Sequence, residues 1–192
     1  MLAQTKRSLV EVLSRNKVIP VVENRTQFLT ALTISGHEVI FIRNCDLFDV
    51  KALCQQASHQ GYALYINVDH INGIHPDAAG LQYLIEQFHI TGIASANLKV
   101  LTLGKTLELN TILQIFAADS TGLESAIEMI NPTAVDFFNV SPALVVPSLS
   151  ETLTTLLPRP FIASGLISTK RQIQAVLQAG ALGVVVVQPE LW

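Results

Sequence analysis

Polar residues that could bind a small ligand recur along the chain, each at the end of a short apolar run. Asp69, Ser95 and Asn139 each lie at the end of such a run, and Ser164 with Gly165 ends another. In parallel α/β folds the carboxyl ends of the strands form the ligand-binding rim. The spacing therefore predicts one ligand site built from these residues.

Asp69 is the residue best suited to acid–base chemistry or ligand binding. Its carboxylate could act as a general base or accept a hydrogen bond from a ligand hydroxyl. Capping of the next helix is the alternative for Asp69, and it is the favoured reading of Asp77. His70 and His75 lie five residues apart across a loop and lack a third ligand. No metal site is predicted.

The turn Ser164–Gly165 precedes a helix that begins near Ser168 and Thr169. Free backbone N–H groups at such a helix start bind phosphate, although Ser and Thr also occur there as helix caps. The next apolar run ends in Val185–Val187, which supplies no hydroxyl. We therefore expect half of a phosphate site.

Eight apolar, β-branched runs predict strands, and amphipathic segments between them predict helices. The predicted strands are Lys17–Val22, Glu38–Arg43, Tyr62–Val68, Ile90–Ser95, Ile112–Ala117, Ala134–Val140, Pro160–Ser164 and Gly183–Val187. The predicted helices are Thr5–Arg15, Thr26–Ile34, Leu47–His59, Asp77–His89, Asn97–Leu109, Ser120–Ile130, Pro147–Leu157 and Thr169–Ala179. The alternation predicts a compact α/β fold, a TIM-like (β/α)8 barrel of parallel strands, with a doubly wound open sheet as the alternative.

The end of the chain modifies this barrel. Only Gln188–Trp192 follows the eighth strand, so the eighth helix is expected to be nearly absent. We expect Trp192 to pack where that helix would lie. Cys45 and Cys54 are expected to be packing residues that stay reduced.

The composition limits the class of protein. The chain has 192 residues, of which 49% are apolar and 14% charged, with a formal net charge of −3. This composition excludes disorder of the whole chain, and the apolar runs fall short of the roughly 20 residues of a membrane-spanning helix. We expect one domain over residues 1–192 with an N-terminal helix at about residues 5–15. The N-terminus lacks the apolar core of a signal peptide, which predicts a cytoplasmic location and no membrane partner.

Short catalytic and cofactor motifs are missing from the sequence. It contains no G-x-S-x-G, G-x-G-x-x-G, P-loop, C-x-x-C or H-E-x-x-H pattern. An enzyme would need a proton-transfer pair at the rim, for which Asp69 with Glu23 is the candidate. The residues alone therefore favour a ligand-binding barrel, not an enzyme, with no cofactor.

Five segments carry a more specific signal: VIPVV, INVDHINGI, ITGIASA, LQIFAADSTGLESAIEMI and the closing PFIASGLISTKRQIQAVLQAGALGVVVVQPELW. Together they resemble the glycerol uptake operon antiterminator family over about residues 17–192, and the DS-x-x-LE pattern at Asp119–Glu124 makes the resemblance specific. It implies a small barrel that responds to glycerol 3-phosphate and acts on leader mRNA of glycerol-utilisation genes.

The departures from the family pattern lie where a ligand is expected. Gln114 stands where the family tends to carry Arg before the aromatic residue of strand five, and Asn139 stands where it carries Glu. Val185–Val187 replaces its Ser-Thr-Ser. A lost cationic contact and several lost hydroxyl contacts weaken binding by orders of magnitude, so we expect millimolar or no binding of glycerol 3-phosphate or another small anion. The expected ligand-binding residues are Asp69, Ser95, Gln114, Asn139, Ser164 and Gly165.

Direct support for RNA binding is limited to the cations Lys6, Arg7, Arg15 and Lys17. Such a basic segment can contact RNA phosphates, but it is also typical of a solvated helix face. Two other classes stay open: a barrel that has lost its ligand and acts as a protein-interaction or regulatory module, and a small-phosphosugar enzyme. The chain could also form an oligomer.

Overall fold

Eight parallel strands pair in chain order, and the eighth pairs with the first. The computed structural model describes residues 9–117, 119, 123, 127 and 133–192. Its strands are β1 (Val18–Val22), β2 (Val39–Ile42), β3 (Ala63–Asn67), β4 (Gly92–Ser95), β5 (Asn110–Phe116), β6 (Phe137–Ser141), β7 (Phe161–Ser164) and β8 (Val184–Val186). Val18 lies opposite Val184, which closes the barrel. The prediction of a closed parallel barrel is confirmed.

Helices cover the outside of the barrel, and capping residues set where most of them begin. They are α1 (Leu9–Leu13), α2 (Arg25–Thr33), α3 (Leu47–His59), α4 (Ala78–Phe88), α5 (Leu98–Thr106), α6 (Ser150–Leu156) and α7 (Lys170–Gln178). Asn24, Asp46, Asp77, Asn97 and Thr169 each accept an N–H of the helix that follows. The predicted helix Ser120–Ile130 falls mostly outside the described residues. No helix of the described segments is long and apolar enough to cross a membrane.

Of the described helices, α3 has its predicted bounds and the others differ by one or more residues at their ends. For two of them the local reason is evident. The N-terminal helix ends at Leu13, because the Ser14 hydroxyl and N–H both turn back to the Glu11 carbonyl, at 2.6 and 3.3 Å. The segment predicted as a helix from Pro147 begins instead as a 3₁₀ turn, Ala143–Leu149. Proline lacks the N–H that a continuous α-helix would require.

Apolar side chains fill the barrel, and α1 closes its amino-terminal end. This inner cluster comprises Leu9, Val12, Leu13, Ile19, Val21, Val39, Phe41, Tyr65, Ala94, Ile112, Phe137, Ile162 and Val185. The intervening strand residues face outward and pack under the helices. The polar ends of the strands are therefore left at the other end of the barrel, which we call the mouth.

The chain end and the cysteines follow the sequence predictions. A 3₁₀ turn, Pro189–Leu191, stands in place of an eighth helix, and the Trp192 indole packs on the core and donates to the Val186 carbonyl at 2.8 Å. Cys45 and Cys54 are buried and unbridged. Burial raises their thiol pKa values to about 11 and about 12, so both remain protonated packing residues.

Replacing Gly92 by Ala is expected to destabilise the barrel. A Cβ there would lie 2.5 Å from Tyr65 Cε1 and 2.6 Å from the Asn110 carbonyl oxygen. Urea unfolding of Gly92→Ala should show a loss of about 1–3 kcal/mol. The matched control is Gly104→Ala, whose Cβ meets the flexible end of Ile93. Equal losses in the two variants would contradict this account of the interior.

We predict that His37 makes the stability of the fold depend on pH. Burial lowers the pKa of His37 below its usual 6.5. The hydrogen bond with the Val18 backbone carbonyl raises this pKa, but the effect of burial is larger. The unfolded chain then takes up a proton that the folded chain does not, so the free energy of unfolding is highest above pH 6.5 and falls as the pH drops below it. Urea unfolding at several pH values should show this fall, and His37→Gln should reduce it. An unchanged pH profile in the variant would rule out His37 as the cause.

Candidate functional site

A layer of polar side chains covers the inner cluster at the mouth. Each lies two residues after a member of the inner cluster, so the pleat of the strand turns it to the same interior side. This mouth layer consists of Glu23, Arg43, Asn67, Gln114, Asn139 and Ser164. Six strands thus bring polar groups to one place, as the strand-end pattern predicts.

On one side of the mouth, Glu23 and Arg43 form an ion pair. Arg43 Nε donates to Glu23 Oε1 at 2.9 Å, and Asn44 Nδ2 donates to the same oxygen at 2.9 Å. Sequence reasoning placed Arg43 at a strand end but missed it as a cation of the mouth. Side chains alternate between the two faces of a strand, so Arg43, two residues after the interior residue Phe41, is expected to face the mouth. This spacing is the sequence signal that could have identified it.

On the other side, Gln114 and Asn139 form a pair of amides on adjacent strands. They are opposite each other in the β5–β6 register. Asn139 Nδ2 donates to Gln114 Oε1 at 2.8 Å, and Gln114 Nε2 donates to the Asn139 backbone carbonyl at 3.3 Å. Two of the expected ligand-binding residues therefore contact each other directly.

One atom of this pair has no partner. Asn139 is 2% exposed, and its Oδ1 is the buried side-chain N or O atom that makes no hydrogen bond in the described part of the chain. A buried acceptor without a donor costs about 1–3 kcal/mol. Asn139 Oδ1 is thus a position at which a donor would be favourable.

The turn after β7 brings Ser164 and Gly165 next to this pair. Ser164 is buried in the mouth layer, and Gly165 has a φ of +91°, which favours glycine. A Cβ at Gly165 would also lie 3.1 Å from Ser141 Oγ. The Gly165 carbonyl accepts from the Ala143 N–H at 3.2 Å, which ties the turn to the segment after β6.

The start of α7 is capped from within. Gln172 Oε1 accepts from the Ser168 N–H, the Ser168 hydroxyl and the Thr169 N–H at 2.8, 3.1 and 3.0 Å. The Thr169 hydroxyl in turn accepts from the Gln172 N–H. The expectation of free N–H donors at Ser168 and Thr169 is therefore wrong, and the capping alternative accounts for both residues.

Asp69 and Ser95 form a separate group that locks two loops together. Asp69 accepts from the Ser95 hydroxyl and from the Ala96 N–H, both at 2.6 Å, and Ser95 Oγ accepts from the Asn97 N–H at 2.9 Å. Ser95 has no exposed surface. Asp69 therefore does not cap α4, a role that Asp77 fills by accepting from the Gly80 N–H at 2.8 Å.

The remaining predicted residues lie elsewhere. Val185 belongs to the inner cluster and supplies no donor at the mouth. Arg15 and Lys17 are exposed at the amino-terminal end of the barrel, opposite the mouth, and Arg15 pairs with Glu38 at 3.0 Å. Lys6 and Arg7 lie outside the described residues.

A family model for glycerol-3-phosphate responsive antiterminators matches residues 18–192, which include all eight strands. The chain belongs to the glycerol-3-phosphate responsive antiterminator family. The sequence resemblance is thereby confirmed. No curated protein sequence matches the chain significantly.

Solved structures share the barrel of this antiterminator family member. A glycerol uptake operon antiterminator regulatory protein from Listeria monocytogenes is 22% identical, with a TM-score of 0.82 over 92% of this chain and 95% of that one. An antiterminator-related protein from Thermotoga maritima is 21% identical, with a TM-score of 0.78 over 93% and 98%. An N-acetylmannosamine-6-phosphate 2-epimerase from Clostridium perfringens is 13% identical, with a TM-score of 0.69 over 99% and 95%. At these identities the likeness shows the fold alone.

Asp69→Ala is expected to affect stability more than ligand binding. It removes two hydrogen bonds to a carboxylate, so urea unfolding should show a loss of about 1–3 kcal/mol. The affinity for glycerol 3-phosphate, measured by calorimetry, should change less than about threefold, roughly 0.7 kcal/mol. Asp77→Ala is the control for loss of a single capping bond. A tenfold loss of affinity at unchanged stability would return Asp69 to the ligand site.

Proposed function

We propose that the protein is a transcription antiterminator that responds to glycerol 3-phosphate and acts on leader mRNA of glycerol-utilisation genes, in the cytoplasm. The observation that carries the proposal is the family match over residues 18–192. The ligand would bind at the mouth, where six strands contribute polar groups.

A regulatory role fits the chemistry of the mouth better than catalysis does. The two carboxylates that could have formed a proton-transfer pair belong to separate groups. Glu23 pairs with Arg43, and Asp69 holds Ser95 and Ala96. Both carboxylates are engaged in these contacts, and they do not form a proton-transfer pair with each other. We therefore propose that the protein is not an enzyme.

The mouth should hold a phosphate weakly. Arg43 is already neutralised by Glu23, the start of α7 is occupied by Gln172, and Val185 offers no donor. Among the described residues, we propose the Ser164 hydroxyl and the exposed Lys170 as contacts for a dianion. We therefore expect glycerol 3-phosphate to bind with a dissociation constant on the order of 1 mM, about −4 kcal/mol.

Transcription through the leader terminator tests the proposal. Purified protein should raise read-through on a leader template of a glycerol-utilisation gene, and the effect should increase with glycerol 3-phosphate over a millimolar range. Glycerol 3-phosphate without protein is the control. Read-through that is unchanged by protein with or without ligand would contradict the proposal and favour a protein-interaction module instead.

The basic amino-terminal end is the proposed RNA surface. Arg15→Ala with Lys17→Ala should weaken leader RNA binding and lower the slope of log affinity against log salt by about 1.4, since each contact with single-stranded RNA contributes about 0.7. The exposed Arg15–Glu38 pair contributes little to stability, so the variant should fold normally.

Lys99→Ala is the matched control for this surface. Lys99 is exposed in the first turn of α5, at the mouth end of the barrel. Filter binding at several salt concentrations should leave its slope unchanged. A larger effect at Lys99 than at Arg15 and Lys17 would place the RNA on the mouth side.

A further inference from the structure

We propose that Asn139 Oδ1 is the recognition point for a hydroxyl group of the ligand, so that the mouth selects a short polyol or polyol phosphate by its hydroxyl donors more than by its phosphate. This inference rests on the proposed function, because it assigns the chemistry of the same ligand site. The observation behind it is a buried amide oxygen without a donor at the base of the mouth layer.

The surrounding hydrogen bonds fix which atom of Asn139 is left over. Gln114 Nε2 donates to the Asn139 backbone carbonyl, so Gln114 Oε1 faces the Asn139 side chain. Asn139 must then present Nδ2 to that oxygen, as it does at 2.8 Å. Rotating the Asn139 amide would bring two oxygens together without a proton between them. The unpartnered atom is therefore an acceptor, and it needs a donor.

Because Asn139 Oδ1 is a hydrogen-bond acceptor, it determines which end of a ligand can bind next to it. A phosphate dianion carries acceptors and would be repelled by an amide oxygen, whereas a hydroxyl can donate to it. Val185 on β8, which lies beyond β7 from Asn139, has an apolar side chain in the inner cluster and offers no competing polar contact. The hydroxyl end of the ligand should point inward to Asn139 and the phosphate outward to solvent.

A side chain above the pair can give way to admit the ligand. Phe116 follows Gln114 by two residues on β5 and continues the alternation of interior-facing residues. It is 60% exposed, so few contacts hold it in place. Displacement of the Phe116 side chain would open the approach to Asn139 Oδ1, while Gln114 keeps its hydrogen bonds to Asn139 and the inner cluster stays undisturbed.

Calorimetric titration with three probes tests the inference on the unmodified protein. Glycerol 3-phosphate has two hydroxyls and a phosphate, propyl phosphate has the same phosphate and chain length without hydroxyls, and glycerol has hydroxyls without phosphate. A buried acceptor left without its donor penalises the analogue that lacks the hydroxyl. Glycerol 3-phosphate should bind about tenfold more tightly than propyl phosphate, and glycerol should bind within about threefold of glycerol 3-phosphate.

The variant Gln114→Leu with Asn139→Leu separates recognition from structure. Replacing both members of a buried polar pair by apolar residues is close to neutral for stability. Urea unfolding should therefore show little change, while the preference for glycerol 3-phosphate over propyl phosphate should fall below about twofold. The control is Asn110→Leu at the start of β5, at the end of the barrel opposite the mouth, which removes an amide that donates to the Tyr65 hydroxyl on β3. Asn110→Leu should keep the preference.

The outcomes distinguish this inference from the proposed function. Equal binding of glycerol 3-phosphate and propyl phosphate would overturn hydroxyl recognition and leave a glycerol-3-phosphate responsive antiterminator intact. No binding of any of the three probes would overturn both. Should the double variant fail to fold, the comparison of the three probes on the unmodified protein still decides.

Discussion

The pairing of β8 with β1 is the contact on which the rest of the molecule depends. Val184, Val185 and Val186 lie opposite Val18, Ile19 and Pro20, and the Val184 N–H donates to the Lys17 carbonyl at 2.8 Å. Closure buries both faces of every strand, which requires apolar side chains on both sides of β8. It also brings eight carboxyl ends into one ring. The same valines that close the barrel therefore leave the β8 side of the mouth without donors.

We propose that ligand recognition is concentrated on β5, β6 and β7. The Gln114–Asn139 pair joins two of the expected ligand-binding residues. The two amides lie opposite each other in the register of β5 and β6, and Asn139 Nδ2 donates to Gln114 Oε1. The remaining cost is one unpartnered oxygen, and a ligand hydroxyl would remove that cost.

Local sequence signals predicted the architecture well because they act over short distances. α3 has the predicted bounds Leu47–His59, Asp77 caps α4 as expected, and Trp192 packs where an eighth helix is missing. These features depend on periodicity, helix capping and chain length, which are readable from neighbouring residues. The same holds for the fold class, since alternating strands and helices permit few arrangements.

The site was harder to predict because it depends on register between strands and on the reach of individual side chains. Ser95 ends a strand, yet its hydroxyl lies buried between Asp69 and the Asn97 N–H. This contact does not follow from the residue types alone. The start of α7 differs, because Thr169 and Gln172 have the spacing of a capping box, and Gln172 accepts from the N–H groups of Ser168 and Thr169.

The most direct test of this account is a crystal structure of the protein with glycerol 3-phosphate bound. The account predicts a ligand hydroxyl within about 3 Å of Asn139 Oδ1, the phosphate directed out of the mouth, and the hydrogen bond from Asn139 Nδ2 to Gln114 retained. A phosphate directed inward to Asn139, or a ligand held by Asp69 and Ser95 in place of the mouth layer, would contradict it.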